Sequence, residues 1–152
     1  MSRYPQGLTI IELLVVIAII ATATLITSPR LATLVSVYRL EGTASGLALN
    51  LQKMRLRAIG EGKCLQATFD TAARTYQVLS KAGAIPCGTT GFTNDGAAQK
   101  IDDAAAIAVS ATASPVFDAR GKGATPSVIT LMAPNGAARL VAVNAVGLVR
   151  VQ

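Results

Sequence analysis

From Leu8 to Ser28 the chain is almost wholly apolar (LTIIELLVVIAIIATATLITS), broken by a single charge, Glu12. As a helix this run would extend about 32 Å at roughly 1.5 Å per residue. That is enough to cross a hydrocarbon core of about 30 Å, and a helix satisfies its own backbone groups in lipid. Pro29 follows directly. Proline can end a helix, but the helical pattern resumes beyond it, so a kink is expected instead. No proline interrupts Arg30 to Ile59, and Leu40, Ala44, Leu47, Leu51, Met54 and Ala58 recur in alternating steps of four and three. That spacing predicts one apolar helix face, with Arg39, Glu41, Lys53, Arg55 and Arg57 largely elsewhere. Gly42 and Gly46 weaken the helix by up to about 1 kcal/mol each, and Gly60-Glu61-Gly62 predicts its end. The stripe is expected to pack on a sheet. A coiled coil is the alternative, disfavoured because the stripe is short and alanine-rich.

After Gly62 the pattern changes to short strands. Cys64–Phe69 and Tyr76–Leu79 flank a turn at Asp70–Arg74 and predict a hairpin. Ala82–Gln99, rich in Gly, Thr and Ala, predicts a loop. Ile107–Ala111 and Val116–Phe117 predict strands, and Asp118–Pro126 a Gly-rich basic loop. Val128–Met132 and Leu140–Val143 flank Pro134-Asn135-Gly136, a strong hairpin signal. Leu148–Val151 follows Gly147 as a last strand. The sum is a mostly antiparallel sheet behind a long helix, an α+β class.

Composition narrows the functions. Hydrophobic residues make up 51% and mean hydropathy is +0.49, much of it from the N-terminal run and from alanine. Aromatics at 4% and the absence of Trp exclude a large aromatic-lined pocket. The net charge of +6, from 14 basic and 8 acidic residues, is scattered, with a loose cluster at Lys53, Arg55, Arg57 and Lys63. Such an excess favours solubility and weak attraction to anionic surfaces without implying nucleic-acid binding. With no His, His-ligated metals and His-based triads are excluded. Asp102-Asp103 reads as a solvated turn, since adjacent carboxylates rarely face one site. No phosphate loop, metal-ligand spacing or nucleophile elbow occurs. Neither an enzyme, a metal nor a cofactor is expected. The two cysteines, Cys64 and Cys87, suggest one disulfide if the domain is exported; two free, half-buried thiols are the alternative.

The N-terminus admits three readings. A secretory signal would have a shorter apolar core and a cleavage site after it. A plain membrane anchor leaves Glu12 unexplained, because a carboxylate near the membrane core costs several kcal/mol unless paired or protonated. A cut before Leu8 explains it. The new α-amino group would lie within about 1.5 turns of Glu12, or meet the Glu12 of a neighbouring subunit, and opposite charges attract strongly in low dielectric.

The stretch Gly7-Leu8-Thr9-Ile10-Ile11-Glu12-Leu13-Leu14-Val15-Val16, behind the short leader MSRYPQG with its Arg3, resembles the class III signal of type IV prepilins and type II secretion pseudopilins. The resemblance implies cleavage after Gly7 by a prepilin peptidase, N-methylation of Leu8 and an assembly role for Glu12. Pro29 matches a proline common in that helix. Leu8 departs from the usual Phe. Further on, Leu51–Ile59, Phe117-Asp118-Ala119-Arg120-Gly121 and Val143–Val151 resemble the GspH/FimT-like group of minor pilins and H-type pseudopilins. This implies a type IV pilin-like fold divided as 1–7 leader, 8–28 transmembrane and assembly half of the helix, 29–62 amphipathic half, and 63–152 periplasmic or extracellular sheet domain. The implied protein is single-pass in the inner membrane before it joins a filament. Its implied partners are other pilin or pseudopilin subunits, the prepilin peptidase, the inner-membrane assembly platform and the membrane itself.

The expected function is that of a structural minor pilin of a type IV pilus, priming or capping the filament. One alternative is the H-type pseudopilin of type II secretion. Another is a DNA-binding minor pilin of competence, since some FimT-like proteins bind DNA through basic residues near the C-terminus. In the matching stretch, Gly147-Leu148-Val149-Arg150, Leu148 replaces the first Arg. The candidate DNA contacts are Arg150, with Arg120, Lys122 and Arg139, and phosphate binding needs several cations together.

Overall fold

The computed structural model describes residues 9–83, 85–102 and 107–152, with the side chains of 25–32 outside the description. The chain divides into two units, Met1–Val35 and Ser36–Gln152. One helix, α1 (Ile10–Glu61), contributes to both.

In the first unit Thr9 opens α1: its Oγ1 accepts the Glu12 N–H at 3.2 Å, an N-cap bond that satisfies an otherwise orphaned amide. Glu12 lies in the first turn, where a carboxylate is favoured by the helix dipole. The large apolar side chains from Ile10 to Ile20 are exposed. The exposed hydroxyls that follow bond to carbonyls of the helix itself. Thr22 donates to the carbonyl of Ile19 at 2.9 Å and Thr24 to that of Ala21 at 2.8 Å, a local bond open to Ser and Thr within helices. Among the described residues no helix is long and apolar enough to cross a membrane. The expected span of 8–28 extends past the described side chains of the run, which reach from Thr9 to Thr24. The helix continues through Pro29, so this proline does not end it. The expected kink falls where side chains lie outside the description.

In the second unit every residue of the expected stripe is buried, with Leu40, Ala44 and Ala58 at 0% exposure. Gly62, at φ +63°, closes the helix in the left-handed conformation that glycine adopts without penalty. Beyond it the expected single sheet is in fact two. The first comprises β1 (Lys63–Asp70), β2 (Thr75–Ala82), β3 (Thr93–Asn94), β4 (Gln99–Lys100), β6 (Val116–Phe117) and β7 (Gly123–Thr125). Its order is β3-β2-β1-β6-β7, with β4 also pairing β2. The second comprises β5 (Ala108–Ala111), β8 (Ser127–Met132), β9 (Ala138–Val143) and β10 (Val149–Val151), in the order β10-β9-β8-β5. All pairs are antiparallel. The chain passes from one sheet to the other between β5 and β6 and again at Pro126, between β7 and β8, where a residue without an N–H cannot extend a ladder.

The hairpin turns are set by local polar groups. Asp70 Oδ1 accepts the amides of Ala72 and Ala73 at 2.9 and 2.8 Å, the aspartate-led turn expected between β1 and β2. Asn135 Oδ1 accepts the Ala137 amide at 3.1 Å, and Gly136 takes φ +83° between β8 and β9. The core joins the helix stripe to both sheets through Leu65, Phe117, Ile129, Leu131 and Val141.

Candidate functional site

Gly7 and Leu8, the expected cleavage and methylation positions, lie outside the described residues, as does Asp103. Glu12 is exposed on the first turn of α1, where its side chain is available to another molecule. Asp102 lines a groove of about 290 Å³ with Gly42, Gly46, Asn50, Tyr76 and Lys100. Among the described residues no cluster of three His, Cys, Asp or Glu is placed to hold a metal ion.

Cys64 and Cys87 are joined in a disulfide with a Cα–Cα distance of 5.7 Å. Both are buried beside Val116 and Phe92. Lys81 Nζ secures the same segment, donating to the carbonyls of Cys87 at 3.2 Å and Thr90 at 2.8 Å. The bond and the lysine together fasten the segment after β2 to the first sheet.

The basic candidates fall into separate places. Arg120 and Lys122 occupy the β6–β7 turn, which is built around Asp118. Asp118 Oδ1 accepts the amides of Arg120 at 2.9 Å and Lys122 at 2.8 Å, and Oδ2 lies 3.4 Å from the Arg120 guanidinium. Burial raises the pKa of Asp118, but the two amides and the Arg120 charge outweigh it and hold the carboxyl below the usual carboxylate range. Arg139 stands on β9 toward the β8–β9 turn and pairs with Glu41 at 2.6 Å. Arg150 is exposed on the edge strand β10, opposite Ala142. The four expected DNA contacts therefore do not form one patch made by a single element, and two of them already have carboxylate partners.

What the structure does assemble was not expected. Arg55, near the end of α1, donates from Nε to the carbonyl of Gly121 at 2.8 Å. Gly121 and Gly147 have φ of +75° and +78°. A Cβ on Gly147 would overlap the Gly121 carbonyl, and one on Gly123 would overlap the Asn144 carbonyl. Asn144 Oδ1 organises the β9–β10 turn by accepting the amides of Val146 at 3.1 Å and Leu148 at 2.8 Å. The β6–β7 and β9–β10 turns, one from each sheet, thus interlock backbone to backbone against the end of the helix. A signal for this exists in the sequence: Asp118 and Asn144 each precede a glycine by three residues.

The profile of the prokaryotic N-terminal methylation motif matches residues 2–28. Two solved structures resemble the fold. One is the minor pseudopilin EpsH from the type 2 secretion system of Vibrio cholerae, at 14% identity and TM-score 0.55, over 75% of this chain and 96% of that one. The other is the type IV minor pilin FimU of Pseudomonas aeruginosa, at 16% identity and TM-score 0.52, over 74% of this chain and 86% of that one. The chain carries a prepilin-type methylation motif on a type IV pilin-like fold. The expected fold class, a long N-terminal helix before an antiparallel sheet domain, is the one observed. No curated protein matches the sequence.

Proposed function

We propose that the chain is a minor pilin, a structural and non-enzymatic subunit of a type IV pilus. The observation that carries this reading is the methylation motif at residues 2–28 placed directly before a pilin-like fold. In this reading a prepilin peptidase cuts between Gly7 and Leu8 and methylates the new N-terminus. The chain waits in the inner membrane through 8–28, with its sheet domain outside the cytoplasm. It then joins a filament of other pilin subunits on the assembly platform, where it primes or caps the growing end. Glu12 supplies the assembly contact: it draws in a subunit N-terminus, because an unpaired carboxylate in an apolar surround is costly. The H-type pseudopilin of type II secretion remains the second reading, supported by the likeness to EpsH. DNA uptake is the weaker reading, since Arg120 and Arg139 are engaged by Asp118 and Glu41 and phosphate contacts need free cations acting together.

Mass spectrometry of the protein from sheared filaments tests the reading. The expected chain begins at methylated Leu8, and Glu12→Ala is processed yet incorporated poorly. An intact Met1, or cleavage beyond Ser28, would refute it.

A further inference from the structure

The end of α1 and the two interlocked turns bring three exposed aliphatic side chains to one corner. Ile59, Val146 and Leu148 are 44%, 63% and 38% exposed. Their proximity follows from the backbone between them. A Cβ on Gly121 would overlap the Ile59 side chain, and one on Gly147 would overlap the Gly121 carbonyl. Val146 and Leu148 flank Gly147 in the chain, so all three aliphatic groups border the same contact. Cations stand beside them. Arg120 and Lys122 flank Gly121, and Arg150 follows Leu148 by two residues, the spacing that puts both on one face of an extended chain. All three cations are exposed. Among the described residues neither Lys122 nor Arg150 has a carboxylate partner. Arg120 shares Asp118, which is itself buried. Arg57, Lys63 and Arg139, by contrast, are paired with Glu61, Asp95 and Glu41.

Charge and size choose among occupants. A second copy is disfavoured, because each copy carries +6 and its Glu41, Glu61 and Asp95 are already in ion pairs. A nucleic acid needs several free cations acting together. Here two are free, and the aliphatic groups among them have no counterpart on a phosphate backbone. Lasting subunit packing buries about 2,000 Å² or more and is more apolar than three side chains with a cationic border. What fits is short. Its carboxylates pair with Lys122 and Arg150, and an aliphatic residue between them covers Val146 and Leu148.

We propose that this corner is a transient docking site for a short acidic segment of another polypeptide, one that is not a filament subunit, with carboxylates on either side of an aliphatic residue. The cations steer the segment in and set its register, and the aliphatic groups hold it. The inference goes beyond the reading of the chain as a pilus subunit and stands whichever filament the chain joins.

The test measures fluorescence anisotropy of a labelled peptide, Glu-Asp-Leu-Leu-Asp-Glu, titrated with the detergent-solubilised full-length chain. The expected result is saturable binding that weakens several-fold when Lys122→Glu and Arg150→Glu are combined, and several-fold when Val146→Ser and Leu148→Ser are combined. Lys100→Glu is the control. It lies on β4, at the opposite edge of the first sheet from β7, and leaves binding unchanged. Urea unfolding establishes that each variant is folded. No binding by the wild-type chain, equal binding of a hexaglutamate peptide, or tighter binding of an oligodeoxynucleotide of the same charge overturns the proposal. A photo-crosslinking amino acid at Val146, in cells that make the filament, identifies the source. Adducts with an acidic chain that lacks a methylated N-terminus are expected. Adducts confined to methylated subunits, to a second copy or to lipid overturn the proposal. Chain left uncut before Leu8 defeats the filament reading alone, since peptide binding is read on the isolated chain.

Discussion

The two stretches of α1 use the same kinds of side chain for opposite purposes. From Ile10 to Ile20 the large apolar groups are exposed, whereas Leu40, Leu51 and Ala58 are at 1% exposure or less. The later stretch gains its stability inside the chain, by removing apolar surface from water against two sheets. The earlier stretch has no such partner among the described residues. A hydrophobic helix residue is therefore worth a great deal to folding in the later stretch and almost nothing in the earlier one, although the earlier is the more apolar of the two.

The sharpest way to break this contrast is a pair of truncations. Leu51→Ala should cost about 2–5 kcal/mol in urea unfolding of the detergent-solubilised chain, while Leu14→Ala, at a position 60% exposed, should leave the unfolding of the sheet domain unchanged. Equal losses would erase the distinction. Next in size, Cys64→Ala with Cys87→Ala opens a bond that spans 23 residues. The loop-entropy relation gives about 3 kcal/mol, read as a lower midpoint of the sheet domain with no change in N-terminal processing.

Glycine substitutions should differ in sign between regions. Gly147→Ala, at φ +78° and against the Gly121 carbonyl, should destabilise by about 1–3 kcal/mol. Gly42→Ala, in open space on the helix, should stabilise the isolated chain by up to about 1 kcal/mol. Thermal unfolding of the two variants decides it. The smallest effect is one of pH. The folded-state pKa of Asp118 is lowered, so its contribution is present above the unfolded value of about 3.9 and is lost as pH falls through the lower folded value. The stability gap between wild type and Asp118→Asn should be full at neutral pH and close in acid. A gap that is constant across the titration would remove the ionic part of that turn.

Much of the helix was legible because its signal is periodic and local: all six stripe positions are buried, and the end at Gly62 follows from a glycine after the last periodic residue. The turns at Asp70–Arg74 and Asn135-Gly136 were legible for the same reason, and the Cys64–Cys87 bond was suggested by the cysteine count on the condition of export. The division into two sheets was not. β3, β4 and β6 have two residues each and β7 three, too short to show alternation. For that reason Thr93–Asn94 and Gly123–Thr125 lie inside stretches that read as loops. Arg55 was read as one of a scattered set of cations, because its partner is a backbone carbonyl 66 residues away and nothing in the spacing of side chains reports such a contact.

The interlocked turns have a further consequence. Their fit is made by peptide groups and by the absence of side chains at Gly121, Gly123 and Gly147, while Arg120, Lys122, Val146 and Leu148 project outward and exposed. The frame and its fittings are therefore independent. A side chain on this corner can be exchanged, a cation for a leucine, and the surface it presents changed, without disturbing the architecture that holds the corner in place.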